Sequence, residues 1–156
     1  MPTPAYVWFD GIKGGVQIEK REGSCEIMEF HHELHIPTDP HTGALRGVRM
    51  HNPLVLVKAY DSATPYLYKA CCKGETLKTV TIKWYVIDDT GVEKDYFIHK
   101  LETVKIASMK AFMPSTKDPD KERYTHMEEV AMTYGKITWT YTDGNLAFMD
   151  SWVAKQ

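Results

Sequence analysis

The segment Thr125-His-Met-Glu-Glu-Val-Ala-Met-Thr-Tyr-Gly-Lys-Ile-Thr-Trp-Thr-Tyr141 decides how the chain folds. Its apolar residues alternate at positions 130, 132 and 134, and then at positions 137, 139 and 141. Because side chains of a strand alternate between two faces, this change of parity would turn the second half to the opposite face. Gly135 lies at the change, and glycine tolerates the backbone conformation of a bulge. The segment therefore predicts one long extended stretch in which a bulge keeps both halves on the same face.

Most of the remaining chain also shows the two-residue period of β-strands. Alternation is clearest from Val80 to Val86, and a second long extended stretch runs from Tyr96 to Met109. Ile27–Ile36 is predicted to be one long strand with an apolar face on its even positions, where His32 is the exception. Asp88–Gly91 and Thr142–Asn145 have the Asp and Gly residues that are typical of hairpin turns. These patterns predict antiparallel pairing.

One short helix is predicted to begin near Pro65 and to end at Gly74. Proline suits the first helical position because its missing N–H would have no partner there. Side chains between Asp61 and Thr64 offer caps for the helix start, and glycine is the usual residue just beyond a helix end. A helix of this length is unstable alone in water, so we expect it to pack on a sheet.

These elements predict the fold class. The chain is expected to be mainly β, an antiparallel two-sheet β-barrel with one short flanking α-helix and a long extended loop. The loop, Thr38–Asn52, has no clear secondary structure and carries three apolar residues. The length of 156 residues and the 43% hydrophobic content predict one domain over residues 1–156.

Composition argues against several classes of function. The net charge of −2 without a basic stripe argues against nucleic-acid binding, and no apolar run reaches the roughly 18 residues of a membrane span. The first residues lack the basic and apolar regions of a signal peptide. Three cysteines, of which Cys71 and Cys72 are adjacent, argue against a disulfide framework and favour synthesis in a reducing cytoplasm.

Four short motifs would each allow chemistry, and each has a simpler structural interpretation. Asp89-Thr-Gly91 matches an aspartic-protease tripeptide, but it lies where a hairpin turn is predicted. His31, Glu33 and His35 would share one face of a strand and could ligate zinc, although strand alternation also predicts a solvent face there. No fixed fourth ligand supports a metal, so we expect none.

The cysteines and the glycine-rich segment point to structure rather than to catalysis. Cys71 and Cys72 lie near the predicted helix C-terminus, where the helix dipole disfavours a thiolate. Gly11–Gly15 is not followed by a helix that would present its N-terminus to a phosphate. The residues alone therefore predict a β-rich protein with no catalytic site and no cofactor, which favours binding or assembly over catalysis.

Several motifs, taken in order, resemble the haemolysin-coregulated protein (Hcp) family, the tail-tube proteins of bacterial type VI secretion. The resemblance covers nearly the whole chain and rests on the ordered set of motifs. They are Asp10–Gly14, Gly47–Leu54, Lys58–Leu67, Gly74-Glu75, Glu129-Val130, Tyr134, Ile137-Thr-Trp139 and Asp150-Ser-Trp152. Thr64 stands where the family often has serine before the helix proline, and threonine caps a helix nearly as well.

The resemblance implies a two-sheet β-barrel with a flanking helix, without enzymatic activity. It further implies a homohexameric ring whose copies stack into the inner tube of a contractile machine. The implied partners are the sheath, the spike protein and the effectors that the lumen carries or chaperones. The protein would be cytoplasmic before assembly and would leave the cell through the machine, to the extracellular space or a target cell. No additional toxin domain is expected after Gln156.

The loop Thr38–Asn52 is our candidate for ring stacking. Its apolar side chains would contact the next ring, and its cations would reach carboxylates there. The candidate residues are Leu45, Arg46, Val48, Arg49, Met50 and His51. The alternative is a loop whose apolar residues fold back onto their own barrel.

Two other functions stay open at the level of sequence. One is a small monomeric β-barrel module that binds carbohydrate or peptide on exposed Trp and Tyr side chains. The other is a zinc or thiol enzyme that uses His31, His35 or Cys72.

Overall fold

A computed structural model describes residues 3–153, and eleven strands and one α-helix make up most of that range. The strands are β1 (Ala5–Phe9), β2 (Cys25–Glu26), β3 (Glu29–His31), β4 (Leu34–His35), β5 (Met50–His51), β6 (Leu54–Ala59), β7 (Thr76–Ile87), β8 (Glu93–Phe112), β9 (Met127–Thr133), β10 (Lys136–Tyr141) and β11 (Leu146–Ser151). The helix α1 spans Thr64–Lys73, and a short 3-10 helix spans Pro119–Lys121.

The long strand β8 joins two antiparallel sheets. Along one edge it pairs with β7, and along the other it pairs first with β10 and then with β9. The first sheet therefore has the order β2-β1-β7-β8-β10-β11, and the second has the order β8-β9-β6-β3. This arrangement confirms the predicted mainly β, two-sheet antiparallel fold with one flanking helix.

The ladder between the two sheets is not closed. Chain segment 26–29 crosses from the edge of the first sheet to the edge of the second. The N–H of Ile27 donates to the carbonyl of Ala5 in β1 at 2.9 Å, and the N–H of Met28 donates to the carbonyl of Val57 in β6 at 2.8 Å. The predicted barrel is thus a pair of sheets that a crossing segment bridges by single hydrogen bonds.

The change of parity at Gly135 is present, but its geometry differs from the prediction. The predicted single stretch is two strands, β9 and β10, and both pair with β8 without a net shift of register between them. The buried positions of β8 also change parity here, from Leu101 to Val104, and Thr103 between them has a φ of 55°. In β8 and in the neighbouring segment β9–β10, the inward-facing positions therefore change parity at the same place. As a result, the buried residues before and after the change point into the same core.

Gly135 is required for close approach rather than for a left-handed backbone. A Cβ at this position would lie 3.2 Å from Cβ of Thr103. The N–H of Gly135 donates to the carbonyl oxygens of Glu102 and Thr103. A larger residue would push the two strands apart where both switch faces.

The helix confirms most of its sequence signals. Pro65 is in its first turn, Gly74 has a φ of 65° and ends it, and Leu67 and Ala70 are buried against the sheets. The capping prediction is wrong in detail, because Ala63 is the N-cap and no side chain caps it there. The two predicted hairpin turns are confirmed, and the Asp-Thr-Gly tripeptide lies in the turn between β7 and β8.

The predicted strand Ile27–Ile36 is wrong. The segment contains only two short strands, β3 and β4, because it crosses between the sheets and then leaves them. Met28, Leu34 and Ile36 are exposed, so the even positions do not form a core face. The predicted loop Thr38–Asn52 is present as the extended end of a β-hairpin, in which β4 pairs with β5 and Thr38 forms a bridge with Leu45.

A buried ion pair links α1 to the second sheet. The ammonium of Lys58 donates to Glu128, to Oδ1 of Asp61 at 3.0 Å and to the carbonyl of Ala59. Glu128 also accepts from the hydroxyl of Thr64 at 2.9 Å. Burial alone would lower the pKa of Lys58, but the hydrogen bond to Glu128 together with the nearby charges of Cys25, Glu128 and Asp61 outweighs it, so that the pKa is raised. The pair holds β6, β9 and the helix start together.

Replacing Lys58 with Met should lower the free energy of unfolding by about 3 to 5 kcal/mol, because Glu128 then stays buried without its counter-ion. The double variant Lys58→Met, Glu128→Leu should regain more than half of that loss. Urea unfolding followed by tryptophan fluorescence measures both. A single variant within about 1 kcal/mol of the wild type would show that the ion pair does not stabilise the fold.

Candidate assembly surfaces

A β-hairpin projects from the two sheets and exposes apolar side chains. We call residues 34–51, which include β4 and β5, the arm. Leu45, Val48 and Met50 are 66%, 50% and 52% exposed, and Leu34 and Ile36 are exposed as well. The alternative in which these side chains fold back onto their own barrel is therefore wrong. Exposed apolar side chains grouped in this way mark interaction sites.

Contrary to the expectation from the sequence, the cationic side chains of the arm already have carboxylate partners within the same chain. Arg46 pairs with Asp39 inside the arm at 2.6 Å. Arg49 donates two hydrogen bonds to Asp150, at 2.7 and 2.8 Å, and His51 is buried. Contact of Arg49 and His51 with carboxylates of another ring stays a prediction, and it would have to compete with Asp150 of the same chain, which binds both side chains. Of the six candidate residues, three apolar ones and Arg46 remain exposed.

Asp150 at the end of β11 anchors the base of the arm. One of its oxygens accepts from Arg49 at 2.7 Å, and the other accepts from Arg49 and from Nε2 of His51 at 2.8 Å each. Arg49 also donates to the carbonyl of Ser151. The hydrogen bonds from Arg49 and, to a smaller extent, from His51 hold the pKa of Asp150 below its usual range. These hydrogen bonds thus tie the arm to the last strand, β11.

The anchor continues inward through a chain of hydrogen bonds. The hydroxyl of Tyr134 lies 2.7 Å from Nδ1 of His51 and 2.8 Å from Nε2 of His32. When Nε2 of His51 donates to Asp150, Nδ1 of His51 accepts a hydrogen bond from the hydroxyl of Tyr134, and Nε2 of His32 donates to the oxygen of that hydroxyl. Each of these three hydrogen bonds has one donor and one acceptor in that assignment. The ring of Trp152 stacks on the ring of His51 and shields these hydrogen bonds from solvent.

Burial lowers the pKa of two histidine side chains in this region, His32 and His99, and so favours their neutral forms. Burial, together with the nearby His51, lowers the pKa of His32, whose ring lies 6.5 Å from that of His99. Burial also lowers the pKa of His99 to about 4, with a smaller effect from His32. Nδ1 of His99 accepts a hydrogen bond from the indole of Trp84 at 2.9 Å, which requires an unprotonated nitrogen. Protonation would therefore disrupt the packing behind the arm.

The strand β11 forms a second apolar surface. Among the described residues it pairs only with β10, so its other edge is free. All four residues from Leu146 to Met149 are exposed, and Phe148 is 67% exposed. Its ring stacks on Trp139, which connects the surface to the core. Natural proteins cover or charge such strand edges, so an apolar edge of this kind indicates a protein contact.

The other candidate residues are not brought together into a site. His31 lies in β3 and His35 in β4, so no single strand carries both, and His31 contacts Glu29 at 3.5 Å. Within residues 3–153, no group of three His, Cys, Asp or Glu side chains is placed to hold a metal ion. Cys71 packs against the core, as expected, and Cys72 is exposed. No helix in the same range has the length and hydropathy that a membrane span requires.

Sequence reasoning missed the anchor, although signals for it were present. His32 interrupts an apolar face, and Asp150 belongs to a short motif near the end of the chain. Tyr134 lies next to Gly135, at the change of parity. None of these signals pairs the residues with one another, because more than 80 positions separate the partners.

Comparisons with known proteins agree on one family. The profile of the family described as "Type VI secretion system effector, Hcp" matches residues 6–141. The "Major exported protein" of Pseudomonas aeruginosa strain PAO1 is 35% identical over 166 residues, which covers 97% of this chain and 96% of that protein. The profile match covers the arm and ends before β11, whereas the match to the Pseudomonas protein covers 97% of the chain.

Solved structures match over nearly the same length. A variant of the Hcp1 protein from E. coli EAEC 042 is 44% identical and superposes with a TM-score of 0.84, covering 98% of this chain and 99% of that one. The secreted protein Hcp3 from Pseudomonas aeruginosa is 29% identical with a TM-score of 0.80, covering 98% and 100%.

Replacing Asp150 with Ala should loosen the arm, because it leaves the buried donor of His51 and the guanidinium of Arg49 without their acceptor. We expect a loss of about 2 kcal/mol in the free energy of unfolding and faster amide hydrogen exchange in residues 34–51. Glu75→Ala, which removes only the exposed ion pair with Lys69, is the control and should cost less than about 1 kcal/mol. Unchanged exchange in the arm would contradict the anchoring role.

Acid should destabilise the protein between about pH 6.5 and pH 4. The folded-state pKa of His99 is about 4, so the folded state binds fewer protons than the unfolded state, and stability falls as the pH drops through this window. The contribution of His99 is roughly 3 kcal/mol at most. His99→Gln keeps an acceptor for Trp84 and should flatten the pH dependence of the urea midpoint. An equally steep dependence in this variant would assign the effect to other groups.

Proposed function

The chain belongs to the Hcp family of type VI secretion system proteins, and we propose that it is the structural subunit of the inner tail tube. In this proposal the protein forms homohexameric rings, and the rings stack into a tube whose lumen carries or chaperones effectors. The contractile sheath surrounds the tube and the spike protein covers its tip. The role is structural rather than catalytic.

The observation that carries this proposal is the presence of two unlike apolar surfaces on one subunit. A closed ring is built from heterologous contacts, in which one surface of a subunit meets a different surface of the next. Stacking of rings requires a further surface. The edge of β11 offers strand and side-chain contacts of the kind that ring formation needs. The exposed apolar side chains of the arm offer a separate contact along the tube axis.

The anchor supports the stacking role of the arm. Asp150 holds both Arg49 and His51, so the hairpin is fixed before it meets another ring. A fixed contact element loses less conformational entropy on binding than a free loop. The apolar residues Leu45, Val48 and Met50 then act together.

Export through the secretion machine follows from the same proposal. The family is secreted by the type VI system, and the related Pseudomonas protein is described as a major exported protein. We propose that this chain is cytoplasmic until assembly and that it then reaches the extracellular space or a target cell as part of the tube.

The native mass of the purified protein, together with negative-stain images, tests the ring. We expect a six-subunit mass and ring-shaped particles. Phe148→Glu places a charge on the free edge of β11 and should shift the mass toward the monomer, whereas Tyr66→Glu, at an exposed site on α1, should leave it unchanged. A wild-type monomer at all concentrations would overturn the ring and would favour a small binding module.

Val48→Asp should keep the rings and block their stacking, because it buries a charge in an apolar contact. The matched control is Val92→Asp, a similarly exposed valine just beyond the turn between β7 and β8. Tube length in electron micrographs and sedimentation of tubes measure the effect. Normal tubes from Val48→Asp would remove the arm from the stacking contact.

A further inference from the structure

Four side chains form a line of hydrogen bonds that leads from an open recess to the base of the arm. His32, Tyr134, His51 and Asp150 contact one another in this order, at 2.8, 2.7 and 2.8 Å. We call these four side chains the latch. His32 is half-buried and lines a recess of about 570 Å³ between β3 and the start of β6, whereas His51 is buried. Solvent therefore has access to the latch at His32.

The latch can accept one additional proton without losing a hydrogen bond. An additional proton on His32 goes to Nδ1, which takes no part in the line, because Nε2 already donates to Tyr134. An additional proton on His51 goes to Nδ1, which then donates to the hydroxyl of Tyr134. The hydroxyl turns and donates to Nε2 of His32, provided that His32 is neutral and in its other tautomer.

Two additional protons are incompatible with the closed latch. When His32 and His51 are both protonated, both donate toward the same oxygen of Tyr134, and the hydroxyl proton has no acceptor left within the latch. A donor that is buried without its acceptor destabilises the arrangement that buries it. Asp150 would also have to balance both imidazolium charges, although Arg49 already binds it with two hydrogen bonds.

We propose that the latch is an acid-operated switch, which holds the base of the arm at neutral pH and releases it when His32 and His51 are both protonated. Release separates His51 from Tyr134 and hydrates both imidazolium groups. The switch is built into one subunit and acts without other copies. Its consequence for assembly rests on the proposed tube function: tubes would come apart in an acidic compartment because their arms are no longer fixed.

The other ionisable groups at the base of the arm keep their charge in mildly acidic solution. The hydrogen bonds from Arg49 hold the pKa of Asp150 below its usual range, so this carboxylate stays ionised. The hydrogen bond to Asp150 raises the pKa of Arg49, so the guanidinium stays charged. Burial raises the pKa of Tyr134, so the hydroxyl keeps its proton. Loss of the arm contact between about pH 6.5 and pH 4.5 would therefore come from histidine.

The groups around His32 on the neighbouring strands agree with this assignment. His99 in β8, whose ring lies 6.5 Å from that of His32, has a pKa of about 4 and stays mostly neutral in this window. The ring of Trp139 in β10 lies 6.3 Å from that of His32 and carries no charge. Glu33 and His31 line the recess on its solvent side, where both are exposed.

The direction of the pH dependence follows from the number of protons in each state. The closed latch holds at most one additional proton, whereas both histidines can be charged once the arm is released. Release therefore takes up about one proton, and its equilibrium constant should rise about tenfold for each unit of pH below about pH 6. The pKa of His32, which burial and the neighbouring His51 lower, agrees with this direction.

Amide hydrogen exchange in the arm tests the switch, after correction for the effect of pH on the intrinsic exchange rate. Between pH 6.5 and pH 4.5, the protection of residues 34–51 should fall at least about tenfold in the wild type, while that of β8 falls less. His32→Gln offers Tyr134 both a donor and an acceptor, so the line can reverse freely, and its arm should stay protected to within about threefold. His35→Gln, which removes an exposed histidine of the arm itself, is the matched control and should behave as the wild type.

Histidine side-chain NMR of the wild-type protein supplies a second measurement, which decides the case if His32→Gln does not fold. We expect that His32 and His51 are both protonated only in the population whose arm is unprotected. Two imidazolium side chains in a subunit whose arm stays protected would overturn the switch. Sedimentation of tubes then measures the consequence: wild-type and His35→Gln tubes should dissociate at pH 4.5, and His32→Gln tubes should still sediment.

The outcomes separate this inference from the proposed function. Equal loss of arm protection in the wild type and in His32→Gln, or no loss in the wild type, would overturn the switch and leave the tube standing. An absence of rings and tubes at neutral pH would overturn the proposed function, and hydrogen exchange in the single subunit would still decide the switch. Loss of protection in the wild type and in His35→Gln, but not in His32→Gln, would establish it.

Discussion

The carboxylate of Asp150 is the interaction on which both assembly surfaces depend. It lies at the end of β11 and holds Arg49 and His51 at the base of the arm. A hairpin with two-residue strands is not stable by itself in water. Without this carboxylate the base of the arm would lose three hydrogen bonds, and Arg49 and His51 would no longer tie the arm to β11. The side chain of Asp150 therefore helps to position the two surfaces relative to each other.

Part of the fold could be predicted because its signals are local. The helix from Thr64 to Lys73 has a proline at one end and a glycine at the other, and both act within a few residues. The change of parity at Gly135 is also visible in one strand. Its consequence is not, because β8 makes the matching change at Thr103, and only the pairing of the strands shows that both switch faces together.

The error in predicting Ile27–Ile36 as one strand with a buried face has a general cause. A two-residue period indicates an extended chain, but it does not indicate which surface buries the apolar face. Ile27–Ile36 has the period and is extended in pieces, yet Met28 and Ile36 face solvent since the segment leaves the sheets. The candidate site shows the same limit. The exposed apolar residues of the arm could be predicted, whereas the binding of Arg49 by a residue 101 positions later could not.

The distribution of polar and apolar groups around the arm is the reverse of an ordinary surface hairpin. Its base buries His51 among hydrogen bonds, and its tip exposes Leu45. A buried polar network is directional, so it fixes the orientation of the hairpin more narrowly than apolar packing would. The exposed apolar side chains stay hydrated in that orientation, and a partner that removes water from them gains the favourable free energy of apolar burial. A subunit built in this way folds first and then associates, because the polar contacts that fix the arm are complete within one chain and the apolar contacts are not.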